Sequence, residues 1–144
     1  MLTAIDAWFG KNLFVPPIIK LCQVTRQTQF AISRTFWFAA ALNGFYRAET
    51  IASSVIWGLM SLFMMITAVR RADAPALSMM WFRLASLAFL AFDVVTSITR
   101  AKWAAPEFWV LVLFAEYAAT IRSIPPRDTK SRNTRAAPAT QRDA

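Results

Sequence analysis

TIASSVIWGLMSLFMMITAV, residues 50 to 69, is a run of 20 residues without a charge. As a helix it rises about 30 Å, the thickness of a bilayer's hydrocarbon core. The chain around it has 144 residues, is 57% hydrophobic and holds only 3 glycines. A soluble domain of that size does not need so much apolar sequence, nor does it need it gathered into runs. The reading is an all-α integral membrane protein, folded as one compact unit.

Arg70 and Arg71 close the run, and Asp73-Ala74-Pro75 makes the turn after it. A second span is expected over residues 77–99, ended by Arg100 and Lys102. A third is expected over 106–122, with Pro106 in a favourable first-turn position. Upstream, FAISRTFWFAAALNGFY at 30–46 is shorter and contains Arg34, and Asn43-Gly44 supplies its stop. With it the chain has four transmembrane helices; if it does not cross, it is re-entrant.

Charge placement chooses between these. With four spans, eleven of the 16 Lys and Arg share the side of both termini, against Arg47, Arg100 and Lys102 on the other. Three spans would divide the charges almost evenly. The positive-inside rule prefers the asymmetric arrangement and makes both termini cytoplasmic, in a bacterial inner membrane.

Before the spans, residues 1–29 form an interfacial amphipathic segment. Leu2, Ile5, Trp8, Phe9 and Leu13 share one helical face, with Asp6, Lys11 and Asn12 off it. Pro16-Pro17 is expected to end that first helix. Residues 123–144 are polar, basic and Pro-bearing, and are expected to be a disordered tail. Trp8, Trp81 and Trp103 are the interface anchors, and the methionines and phenylalanines are packing residues.

The chain has no His and a single Cys, Cys22. Catalytic triads, histidine-ligated haem, Fe–S clusters and zinc sites are therefore not expected, and neither is enzymatic function, a cofactor or a metal. The net charge of +8 lies in the flanks and the tail. It suits anionic phospholipid rather than nucleic acid.

The candidates for function are the polar residues inside spans: Arg34, Asn43, Arg83, Asp93 and Glu116. An intramembrane charge costs several kcal/mol unless it is answered. Arg83 and Asp93 are ten positions apart, about 15 Å along a helix and roughly 80° around it, so they cannot answer each other. By depth, Glu116 is expected beside Arg83 and Arg34 in an inner polar layer, although Arg83 could also snorkel to headgroups. Asp93 is expected in an outer layer with Asn43, Ser53 or Ser54, and Arg47. The small residues Ser54 and Gly58, Ala115 and Ala119, and Ala85, Ala88 and Ala91 allow close helix approach.

Two functions follow as expectations. One is a non-catalytic accessory subunit, packed against other integral membrane proteins. The other is a homo-oligomeric transporter, channel or hole-forming protein, built from copies of itself, that uses the intramembrane carboxylates.

Overall fold

The computed structural model describes residues 1–71, 74–100 and 106–122, and these are helical apart from short connections. In chain order the helices are α1 (Leu2–Phe9), α2 (Val15–Thr25), α3 (Gln29–Tyr46), α4 (Ile51–Arg70), α5 (Met80–Arg100) and α6 (Glu107–Thr120). A π-helical turn, Gly10–Phe14, joins α1 to α2. The expected tail, Trp103 and the turn at Asp73 lie outside the described residues.

The boundaries have local causes. Thr50 and Ser53 form a reciprocal capping box that starts α4. The Thr28 hydroxyl accepts the Ala31 amide at 3.2 Å and starts α3. Arg26, at φ 57°, adopts the left-handed conformation that ends α2. Pro16-Pro17 does not end the N-terminal helix as expected: the chain is helical from Leu2 to Thr25. A proline ring clashes with the carbonyl four residues back. Here the widened π turn falls where those carbonyls lie, at Asn12 and Leu13, and the helix continues through the proline pair.

Four helices form an antiparallel row in the order α4, α3, α6, α5. One end of the row, the base, holds the C-terminus of α6, where Gln29 Nε2 donates to the Ile121 carbonyl at 3.2 Å. At the other end, the rim, Arg47 of α3 meets Glu107 of α6. Close approach is achieved by omission of side-chain bulk. A Cβ on Gly44 would lie 2.6 Å from the Trp57 ring of α4. Between α3 and α6, the buried Ser33 hydroxyl donates to the Ala115 carbonyl at 2.7 Å.

The N-terminal arm, α1 to α2, lies across the base against α6, touching α5 through α1 and α3 through α2. Asp6, Gly10, Phe14, Ile18 and Cys22, each four apart, form its buried ridge. Phe14, Ile18 and Cys22 join Ile32, Leu113, Tyr117, Ala118 and Ile121 in the core. The arm is thus part of the bundle's core and does not merely adsorb to a headgroup layer. Of the apolar face noted in the sequence, Leu2, Ile5, Trp8 and Leu13 point outward and are exposed, whereas Phe9 packs against the core.

Among the described residues two helices, α4 and α5, are long and apolar enough to cross a membrane. Four are not supported: α6 has 14 residues, and α3 is diluted by Gln29, Ser33, Arg34, Thr35 and Asn43. Only 6% of the apolar window of α4 and 11% of that of α5 lie inside the protein. Ile51, Val55, Ile56, Leu59, Phe63, Ile66 and Val69 are all exposed along α4. So broad an apolar exposed face, opposite the one packed on α3, marks a surface built for contact with something other than water.

Candidate functional site

The polar centre of the molecule lies at the base, where arm, α5 and α6 converge. Arg83 stands one turn into α5 and is buried. Its Nε donates to Asp6 Oδ1 at 2.9 Å and its Nη2 to Asp6 Oδ2 at 2.6 Å, a two-pronged pair reaching from α5 to α1. The guanidinium fork matches both carboxylate oxygens, which makes this the strongest kind of protein ion pair.

Tyr117 of α6 completes the clasp. Its hydroxyl donates to Asp6 Oδ1 at 2.9 Å, and its ring lies 5.4 Å from the Arg83 guanidinium carbon. The same ring stacks on Phe14 at 4.8 Å and lies against Gly10, where a Cβ would be 3.0 Å away. Hydrogen bonding from Arg83, with a further bond from Tyr117, holds the Asp6 carboxyl below its usual range despite burial. Deeper in the arm, burial pushes the Cys22 thiol up.

The third guanidinium nitrogen extends the network. Arg83 Nη1 donates to the Ser78 hydroxyl, which donates to Glu116 Oε2 at 2.8 Å. The Met79 amide donates to the same oxygen at 3.3 Å. Glu116 and Arg83 therefore lie near one another, but Ser78 stands between them, and the ion-pair partner of Arg83 is Asp6. Arg83 does not snorkel. Arg34, expected beside Glu116, donates to the Ala74 carbonyl at 2.6 Å and so holds the end of the α4–α5 connection.

The expected outer layer around Asp93 is not formed. Arg47 pairs instead with Glu107, Nη2 to Oε2 at 3.0 Å, in an exposed bridge. Ser53 is occupied in the capping box and the Ser54 hydroxyl donates to the Thr50 carbonyl. Asn43 Oδ1 is buried without a hydrogen-bond partner among the described residues. Asp93 itself is half-buried, and no hydrogen bond reaches its carboxylate among the described residues; only its backbone carbonyl is engaged, by Thr96 and Ser97. Helices that run in a row, α5 at one edge and α4 at the other, cannot bring Asp93 to α4.

Trp8 and Trp81 are 60% and 65% exposed near the base, where an indole can sit at headgroup level. Ala85, Ala88 and Ala91 face outward, whereas Ala40, Ala41, Ala115 and Ala118 line the tight helix contacts. Sequence reasoning missed Asp6, Ser78 and Tyr117. The four-residue repeat from Asp6 to Cys22 was the available signal, and it was masked by the more conspicuous apolar face. No cluster of three or more His, Cys, Asp or Glu suited to a metal occurs among the described residues. No family model, curated protein or solved structure matches the chain.

Proposed function

We propose that this chain is a non-catalytic integral membrane subunit that contributes helices to a larger assembly. The observation that carries this reading is the placement of α4 and α5. The two helices long and apolar enough to cross a membrane occupy the two edges of the row, and little of either is buried within the protein. The charged groups buried among the described residues are meanwhile engaged in holding the fold together: Asp6 with Arg83 and Tyr117, and Glu116 with Ser78.

In this reading α4 and α5 are the membrane-contacting helices, and α3 and α6 pack between them as the protein core of the row. Arg47–Glu107 and Gln29–Ile121 tie α3 to α6 at opposite ends, so the inner pair runs the length of the row. Exposed Lys11, Arg26, Arg70, Arg71 and Arg122 gather at the base, which suits a cytoplasmic, inner-membrane face against anionic phospholipid. The N-terminal arm and the C-terminal end of α6 lie on that side.

A homo-oligomeric transporter or channel is the competing reading, favoured by one observation, the unanswered Asp93 carboxylate in α5. The test is gentle extraction of the tagged chain from its native membrane, with mass determination of the intact particle. Stoichiometric recovery with other membrane proteins supports the subunit reading. A particle made of copies of this 16.2 kDa chain alone would overturn it and direct attention to ion flux in liposomes.

A further inference from the structure

Asp93 is the one acid in α5, and it differs from the other acids placed in helices. Asp6, Glu107 and Glu116 each meet a side chain of the same protein, whereas the Asp93 carboxylate meets none among the described residues. It lies 7 residues before Arg100, about 10 Å from that helix end. Its neighbours are apolar: Phe89, Phe92, Val94 and Val95 are all exposed around it. Ionised or protonated, a carboxyl at that depth is costly without a hydrogen-bond partner.

Its position on the helix is also specific. Arg83, Ser86 and Leu90 define the face that α5 turns to the bundle, and Asp93 lies on the flank of that face. One turn earlier, Phe89 stacks on Trp109 of α6 at 4.8 Å, so the α5–α6 seam is closed one turn from Asp93, which is itself half-buried. A helix docked along this seam would reach it directly.

We infer that Asp93 is the recognition contact for a transmembrane helix of a different protein, one that presents Lys, Arg or another hydrogen-bond donor at matching depth. Charge complementarity selects that occupant. A second copy of this chain docked on the same face would bring a second Asp93 and no Lys or Arg over residues 84–99 to answer it. The inference rests on the subunit reading and names the chemistry of its partner.

The test pairs two readouts on Asp93→Leu in the full-length chain. A photoreactive residue at Thr96, one turn from Asp93, captures what docks there in the native membrane, and its adduct is mapped by mass spectrometry. The expected adduct is a helix of another protein with a cation or donor within a turn of the link. Asp93→Leu is expected to lower its yield roughly tenfold, the scale of an interhelical polar contact. The same substitution is expected to raise the Tm of the isolated chain, because it removes a carboxyl that nothing in the chain answers. An adduct with lipid alone or with a second copy would overturn the inference. So would an unchanged yield in Asp93→Leu, or a fall in Tm, which would show that the carboxylate serves its own fold. An intact assembly with an indifferent Asp93 defeats only this inference; a chain that is never recovered with partners defeats the subunit reading as well.

Discussion

Asp6→Leu should release the N-terminal arm. The substitution leaves Arg83 buried with its two-pronged acceptor gone and deprives the Tyr117 hydroxyl of its bond at 2.9 Å. The side chains of the pair are only 10% and 11% exposed, so solvent screening is slight. Breaking such a pair from one side costs about 3–5 kcal/mol. Arg83 stands one turn from a helix end and can partly swing outward, which favours the lower figure.

Cys22 provides the assay. It is the only cysteine in the chain, it lies on the buried ridge of the arm, and burial holds its thiol protonated. Alkylation therefore reports arm opening. A loss of about 3 kcal/mol raises the open population, and with it the labelling rate, on the order of a hundredfold. The double substitution Asp6→Leu/Arg83→Met removes both charges and should label far more slowly than Asp6→Leu alone. Labelling within twofold of the parent chain in Asp6→Leu would refute the reasoning. It would mean either that α2 opens without α1 or that the pair adds nothing to arm docking.

Other expectations follow from the same geometry. Because Arg83 depresses the Asp6 pKa, the clasp is complete at neutral pH and is lost as pH falls through the native pKa, below the ordinary value of 3.8; Cys22 exposure in the parent chain, followed by hydrogen exchange, should rise there, whereas Asp6→Leu should show no such transition. Gly44→Ala should lower thermal stability by roughly 1–3 kcal/mol, because the new methyl would sit 2.6 Å from the Trp57 ring, while Gly58→Ala, at 3.4 Å from Phe45, should cost much less. Arg47→Met should change stability by less than about 1 kcal/mol in denaturation at any salt concentration, since its bridge to Glu107 is 44% and 48% exposed.

Much of the helical layout was legible because apolar run length and capping residues are local signals. Residues 50–69 announce α4 within a residue of its observed bounds, and Thr50 and Ser53 supply its cap in sequence order. The partner of Arg83 was not legible. A carboxylate on the polar side of an amphipathic helix reads as solvated, and only tertiary packing brings it to an arginine 77 residues away. Depth arithmetic put Glu116 near Arg83, but it could not know that Ser78, in the connection before α5, would stand between them. The proline pair was misread for a related reason. The rule that proline ends a helix assumes a regular α turn before it, and the π turn at Gly10–Phe14 removes that assumption. Likewise, depth alone placed Asn43, Ser53 and Asp93 in one layer, and the row order of the helices separates α4 from α5.

Whether α4 lies in a bilayer is tested directly by one labelling measurement. In a Cys22→Ser background, single cysteines at Phe63, in the middle of α4, and at Ile51, at its start, are treated in native membranes with a water-soluble maleimide. Both positions are exposed on the protein surface, so the protein itself shields neither. With α4 in a bilayer, Ile51→Cys should react rapidly and Phe63→Cys should not react until detergent and denaturant are added. Equally rapid aqueous reaction at both positions would contradict that placement.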